Sequence, residues 1–348
     1  LGDDPFALDE IERRLARRPG EYAAKAALDA ALHDLQGKLL GRPTWQLLGL
    51  RRGGPPTSWT LSLDAPAEMA ENGRRAADRG FRRLKLKIGG RDGLDIARVE
   101  AVRSALPGMP LQVDVNEYWS LEEALENVRH LARLGVEYCE QPLPAGDPGG
   151  ARLKAAAPLP IYVDEDCHTL SDIAECARRG HGVTIKLAKT GGVREALRAV
   201  HAARALGLGC MLGCMVESGL GIAAGAQIAS LFDHVDLDGN LLLAHDPWPR
   251  SPPASGSSPR PAAARRGSGH EPPPGDPGGG PLRRPAPRKD DARGRRLRPR
   301  PGARRDRLGP ASRHHSQGHP DRRLGDGCAR ARRSAPRHDP RRRSAHRW

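Results

Sequence analysis

Arg83-Leu84-Lys85-Leu86-Lys87-Ile88 alternates apolar and basic residues, and that alternation decides how the rest of the chain is read. In a strand, positions i and i+2 share a face, so Lys85 and Lys87 point one way and Leu84 and Leu86 the other. Two ammonium groups directed into a protein interior are costly unless they meet an anionic site. Similar short β-like runs occur at residues 59–63, 111–115, 136–139, 161–163, 183–187, 209–215 and 234–237. Amphipathic helical stretches lie between them, among them 66–79, 94–105, 121–134, 171–179 and 193–206. Eight strands alternating with helices predict a parallel sheet, and eight is the number that closes a β/α barrel. An open doubly wound sheet could hold the same alternation, but no Gly-rich dinucleotide fingerprint follows the first strand.

Working outward, residues 5–50 read as helices. The run from Tyr22 to Leu40 repeats apolar residues at three- and four-residue spacing and stops at Gly41, with Pro43 just beyond. At the other end the composition breaks. The 348 residues carry a net charge of +15, which at face value suggests a nucleic-acid or membrane-surface binder. Residues 1–244, however, hold 30 basic against 33 acidic side chains, whereas residues 245–348 hold 27 against 9. All of the basicity therefore sits in the tail, which also has 19 of the 32 prolines and no Ile, Val, Phe, Tyr or Met. Such a segment cannot bury enough apolar surface to offset its ordering entropy and is expected to be disordered. Its 26 Arg to 1 Lys is also the bias of a GC-rich gene read out of frame, so a frameshifted terminus is expected.

Three segments follow: a partial capping segment (1–56), a β/α barrel (57–244) and an Arg/Pro-rich low-complexity tail (245–348). The chain starts at Leu1 without Met and is expected to be a fragment. Six cysteines (Cys139, Cys167, Cys176, Cys210, Cys214 and Cys328) form no CxxC pair, which points to a reduced, cytoplasmic compartment. No apolar run approaches the ~18 residues of a membrane span, and no signal-peptide pattern opens the chain, so no membrane partner is expected.

Five ionisable residues recur one β/α repeat apart. Lys87 ends the second strand, Asp114 the third, Glu140 the fourth and Asp164 the fifth, and Lys186 lies in the sixth, at separations of 27, 26, 24 and 22 residues. In a parallel barrel all strands open their C-terminal ends on one face, so this spacing converges the five side chains on one site. Alone, an Asp at a strand end reads as a helix N-cap and a Lys as a solvated charge; the shared spacing favours the site. Three carboxylates suit a hard cation, and Mg²⁺ fits best because it leaves room for water and substrate oxygens. A Lys on either side supplies two acid/base groups, whose pKa values a nearby cation should lower toward neutrality.

The motifs Leu84-Lys85-Leu86-Lys87, Asp114-Val115-Asn116, Glu140-Gln141-Pro142, Asp164-Glu165-Asp166 and Ile185-Lys186-Leu187-Ala188-Lys189-Thr190-Gly191-Gly192 resemble those of the enolase superfamily. The likeness is to its mandelate racemase and muconate lactonizing branch, and within it most to dipeptide epimerases. It spans roughly residues 5–244 and implies a TIM-like (β/α)7β barrel, a truncated helical remnant of the N-terminal capping domain, and the disordered tail. It further implies one Mg²⁺ per subunit on Asp114, Glu140 and Asp164. Lys87 and Lys186 would transfer protons on opposite faces of the carbon beside a carboxylate, through an enediolate.

His234-Val235-Asp236-Leu237-Asp238-Gly239 resembles the eighth-strand Asp-x-Asp that meets the substrate's ammonium group in the dipeptide subgroup. Two carboxylates on one strand face suit a cation, although the segment alone also reads as a capped turn before Gly239. Cys214, Met215 and Val216 match a seventh-strand segment that contacts substrate through its backbone, and Thr60 and Lys85 match substrate-contact positions. Without the resemblance, Cys214 and Met215 would read as ordinary core residues.

Some features depart from the family pattern. The capping strands and specificity loop are missing, and Asp166 replaces a small hydroxyl residue, adding a carboxylate near the metal. The partners implied are a small dipeptide and a possible homo-oligomer. The alternatives are an o-succinylbenzoate synthase or muconate-type cycloisomerase on the same scaffold, and an inactive fragment. A further one is nucleic-acid binding, non-specific and salt-dependent, through the basic tail, which lacks aromatic residues for stacking apart from Trp248 and Trp348.

Overall fold

Leu84 and Leu86 are fully buried in an apolar layer with Val99, Val102 and Val113, while Lys85 and Lys87 turn to the opposite side and reach the same oxygen of Asp114. The computed structural model describes residues 2–248, within the first of two units, Leu1–Gly267. The expectation of disorder for residues 245–348 falls, but for its first four residues, outside the described residues.

Eight strands form one sheet: β1 (Trp59–Leu61), β2 (Leu84–Lys87), β3 (Leu111–Asp114), β4 (Val136–Glu140), β5 (Ile161–Val163), β6 (Gly182–Lys186), β7 (Gly209–Gly213) and β8 (His234–Val235). They lie in sequence order and every neighbouring pair is parallel. Thr57 bridges Val235, and the Ser58 N–H donates to the Val235 carbonyl at 3.0 Å, so the chain just before β1 meets β8 and the barrel closes.

Helices α1 (Leu8–Ala16), α2 (Tyr22–Leu40) and α3 (Thr44–Leu47) precede the barrel. Helices α4 (Pro66–Asp78), α5 (Asp95–Ala105), α6 (Leu121–Arg133), α7 (Gly150–Ala156), α8 (Ile173–Arg179), α9 (Leu187–Thr190), α10 (Val193–Ala205) and α11 (Gly219–Ala226) fill the connections between strands. Helix α6 starts on a full capping box, Ser120 accepting from the Glu123 N–H and Glu123 accepting from the Ser120 N–H. The short α7, α9 and α11 carry too few turns for periodicity to register in the sequence. Beta strands 1, 7 and 8 end earlier than the apolar runs suggest, because the segments beyond them turn into the loops that build the mouth.

Period-two alternation sorts the side chains. Val183, Ile185, Cys210, Leu212, Val235 and Leu237 pack outward against α8, α10 and α11 through Ile173, Ala196, Val200 and Ile222. The alternate residues face inward. At the N-terminal end of the barrel they are aromatic: Tyr138 and Tyr162 have ring centroids 4.6 Å apart, and His234 lies 4.8 Å from Tyr138. Gly182 and Gly209 make room for this layer, since a Cβ at either position would overlap the Tyr162 side chain. At the C-terminal end the inward residues are ionic.

Helix α2 is tied to the barrel by a polar contact. Asp29 accepts a 2.6 Å hydrogen bond from the Val193 N–H, the first of α10, at an otherwise orphaned helix start. Gly192, at φ 131°, leaves no space for a side chain beside Asp29. Glu12 of α1 adds ion pairs to Arg194 and Arg198 of α10 at 3.1 and 2.8 Å.

A methyl group at Gly182 must displace the Tyr162 ring, so Gly182→Ala is expected to lower stability by about 1–3 kcal/mol. Ser120→Ala, which removes the cap, should cost about 1 kcal/mol. Thermal unfolding of both variants checks this, and a Gly182→Ala protein as stable as the parent would contradict the packing.

Candidate active site

The C-terminal ends of the strands carry the ionic layer. Register brings Lys87 beside Asp114 and Asp114 beside Glu140. Just beyond Asp114 and Glu140 the chain bends through left-handed residues, Asn116 at φ 48°, Glu117 at 73° and Gln141 at 35°. Such backbone is costly for residues other than glycine and collects at functional sites.

Lys85 is the hub. Its Nζ lies 3.0 Å from Asp114, 2.8 Å from Glu140 and 3.0 Å from Asp236, and the residue is only 3% exposed. Burial by itself would lower its pKa, but the surrounding carboxylates outweigh that and hold it well above the ordinary lysine value. Lys87 Nζ donates to Asp114 Oδ2 at 2.7 Å and to Asn116 Oδ1 at 2.8 Å. Across the barrel Lys186 Nζ donates to Asp164 Oδ2 at 2.6 Å, and Lys189 donates to Asp164 Oδ1.

The three expected metal ligands are buried at adjacent strand ends. As placed, their oxygens are directed at ammonium groups. Among the described residues no three acidic, His or Cys side chains meet closely enough to hold an ion. Their chemistry nevertheless fits a divalent cation. Six carboxylates (Asp114, Glu140, Asp164, Glu165, Asp236 and Asp238) face four ammonium groups (Lys85, Lys87, Lys186 and Lys189), a formal excess of two negative charges. Glu140 Oε2, although 2.8 Å from Lys85 Nζ, is not in hydrogen-bonding geometry with it and has no hydrogen-bond partner. Burial, then repulsion from Asp114, pushes the Glu140 carboxyl up to about 7, as a site short of positive charge would.

Burial would raise the Asp114 carboxyl too, but Lys85 and Lys87 hold it well below the usual carboxylate range. Lys189 and Lys186 likewise lower Asp164 against its burial. Burial would lower the Lys186 ammonium, but Asp164, its hydrogen-bonded partner, leads the opposing charges and pushes it up to about 12.

On the β8 side, Asp236 accepts from Ser58 Oγ at 3.0 Å and pairs with Lys85, while Asp238 Oδ2 accepts the Thr60 N–H at 2.7 Å. Both residues are buried. Gly239 follows directly because any side chain there would overlap the Met215 carbonyl, so the loops after β7 and β8 touch. In the β7 loop Cys214 is half-buried, whereas Met215 and Val216 are 45% and 64% exposed at the mouth. The structure thus brings Thr60, Lys85, Asp236 and Asp238 together with the acid/base and carboxylate residues, and sets Cys214, Met215 and Val216 on the rim.

Asp166, expected to add a carboxylate near the metal, is engaged elsewhere. It pairs with Arg179 at 3.2 Å and accepts from Gln141 Nε2 and the Gly146 N–H, both at 2.9 Å. Five residues without an assigned role also belong to the site: Asn116, Gln141, Glu165, Thr184, which donates to Glu140 Oε1 at 3.0 Å, and Lys189. All but Thr184 stand within the quoted motifs. Lys189 had a legible signal, since it stands three residues after Lys186 in the same quoted motif.

The sequence matches the family described as Enolase C-terminal domain-like over residues 68–278. It matches the family described as mandelate racemase/muconate lactonizing enzyme, N-terminal domain, over residues 1–49. It is 42% identical over 235 residues to an L-Ala-D/L-amino acid epimerase of Pedosphaera parvula, covering 66% of this chain and 67% of that protein. It is 45% identical over 235 residues to a hydrophobic dipeptide epimerase of Roseobacter litoralis, covering 66% and 68%. A solved dipeptide epimerase of Enterococcus faecalis, complexed with Mg and the dipeptide L-Leu-L-Tyr, superposes with a TM-score of 0.69 at 33% identity, over 71% of this chain and 72% of that one.

The Asp238 carboxyl is pushed up to about 6 from 3.8, first by burial and then by Asp236. The fold therefore favours its protonated form. The destabilisation from ionising it is complete above the raised value and fades as pH falls toward the ordinary one. Asp238→Asn is expected to stabilise the protein at pH 7.5 by on the order of 2 kcal/mol, with the gain shrinking at pH 4.5. Melting curves at the two pH values check it, and a variant less stable than the parent at pH 7.5 would refute it.

Proposed function

The chain belongs to the enolase superfamily, in its mandelate racemase and muconate lactonizing enzyme branch, and from that premise we propose that it is a Mg²⁺-dependent epimerase of dipeptides. The observation that carries this reading is the pair of ammonium groups on β2 and β6. Lys87 and Lys186 stand four strands apart, each hydrogen-bonded to a different carboxylate of the proposed metal set, at 2.7 and 2.6 Å. One lysine serves a reaction that leaves the configuration unchanged; two facing lysines serve one that inverts it.

In this reading Asp114, Glu140 and Asp164 would hold one Mg²⁺ per subunit, and the cation would supply positive charge to stabilise the substrate carboxylate. One lysine, neutral at Nζ, accepts the proton from the carbon beside that carboxylate, and the bonding pair stays on the substrate as its enediolate. The other lysine, as an ammonium, donates a proton to the opposite face. Asp236 and Asp238 receive the dipeptide's own ammonium group, a cation that would add to the positive charge of Lys85 beside two buried carboxylates. Cycloisomerisation or dehydration on the same scaffold places no ammonium there, so the β8 pair favours the dipeptide. Thr60, Cys214, Met215 and Val216 line the approach to it.

Residues 1–56 are the part of a capping domain that docks on the barrel, a reading supported by the Asp29 and Glu12 contacts to α10. All five cysteines among the described residues are free, which supports a reducing cytoplasmic setting, and no helix among them is long and apolar enough to cross a membrane.

With Mg²⁺ in D₂O, the parent chain is expected to exchange the α-proton of a dipeptide and to interconvert its epimers. Lys87→Ala and Lys186→Ala should each lower epimerisation by about 10²–10⁴-fold. Each single variant should keep exchange from one epimer only, read by NMR. No exchange with any member of a dipeptide library would sink the dipeptide assignment and leave the family standing. Exchange from both epimers in either variant would remove the two-base reading.

A further inference from the structure

Lys189 is buried to 6% exposure, yet lies outside the acid/base pair. It sits on α9, three residues after Lys186 at the end of β6, and its Nζ has three acceptors: the Asp164 carbonyl at 2.6 Å, the Thr184 carbonyl at 3.3 Å, and Asp164 Oδ1. Lys186 takes the other oxygen, Oδ2. From the opposite side Gln141 Oε1 accepts the Asp164 N–H at 2.8 Å. The peptide groups of Asp164 are therefore gripped through both N–H and C=O, and its carboxylate is pinned at one oxygen.

An ammonium group at such depth is expensive, and an apolar residue of similar volume would stabilise the fold as well or better. Thr184 and Asp164 hold the Lys189 head by geometry that a surface lysine never needs. We infer that Lys189 is a positioning residue for the divalent cation: it anchors Asp164 Oδ1 and the Asp164 backbone so that Oδ2 alone is presented to the metal and to Lys186. The inference rests on the assignment of Asp164 as a metal ligand. Groups that orient a metal-binding carboxylate typically weaken binding by about 10–100-fold when removed.

The test uses the full chain and Mn²⁺ as the probe, titrated with the EPR signal of the free ion as readout. Lys189→Met keeps the stem and removes the donors; Lys189→Gln keeps a neutral donor and stands in should the Met variant fail to fold. Val200→Ala, in the buried face of α10, is the control for lost stability without loss of the clamp. Lys189→Met is expected to bind Mn²⁺ at least about tenfold more weakly than the parent. Lys189→Gln should fall between them, and Val200→Ala should bind as the parent does. Epimerase activity of Lys189→Met should recover as Mg²⁺ is raised. If either Lys189 variant binds Mn²⁺ as tightly as Val200→Ala does, Lys189 is structural only and the inference is overturned. If the parent chain itself binds no Mn²⁺, the metal assignment fails and the inference falls with it.

Discussion

Lys85 is the charge on which the mouth of the barrel depends. It stands between Asp114, Glu140 and Asp236, carried at or just beyond the ends of three different strands, and lies within 3.0 Å of a carboxylate oxygen of each. Removing one partner of a buried ion network leaves the others uncompensated, at a penalty of roughly 3–5 kcal/mol. The side chain assigned from resemblance to substrate contact is thus also the internal counter-ion that joins Asp114 and Glu140 to the carboxylate after β8.

The barrel separates its duties by height along the strands. At the N-terminal end Tyr138, Tyr162, Met211 and His234 fill the interior, and the glycines of β6 and β7 give Tyr162 its volume. At the C-terminal end, where an apolar plug would close the site, ionic residues take its place. The aromatic layer stabilises the floor against which the ionic layer is held, so the strands need not draw cohesion from the mouth. Burial and then repulsion there, which raise the carboxyls of Glu140 and Asp238, are tolerated because the remainder of the strand is fully packed.

Much of this was legible in the sequence, and the limits have physical causes. The Lys85–Lys87 alternation and the spacing of Asp114, Glu140, Asp164 and Lys186 carry the strand order and the common face, because a parallel barrel converts repeat length into position. Spacing says nothing about which head groups meet across the interior. That Lys85 bridges three strands, that Lys189 rather than solvent takes Asp164 Oδ1, and that Asp166 turns to Arg179 depend on side-chain reach and competing charge. The Asp29 link to α10 was equally hidden, since a capping carboxylate 164 positions from the N–H it satisfies leaves no local pattern. The ends of β7 and β8 were overextended because apolar composition continues into loops whose backbone has already left the sheet.

The same electrostatics set the contacts of the lysines at the mouth. Buried carboxylates draw in the nearest ammonium groups, and here these are the hub and the residues proposed for proton transfer. Lys87 and Lys186 lean on Asp114 and Asp164, and this contact is also what raises Lys186. In the proposed reading a divalent ion on those carboxylates would compete with both lysines for the same oxygens, so metal binding and release of the two ammonium groups would be linked. Lys189 stands apart in this competition. It holds Asp164 Oδ1 and the Asp164 carbonyl and leaves Oδ2 to Lys186, so the place of this carboxylate does not depend on the partner of Oδ2.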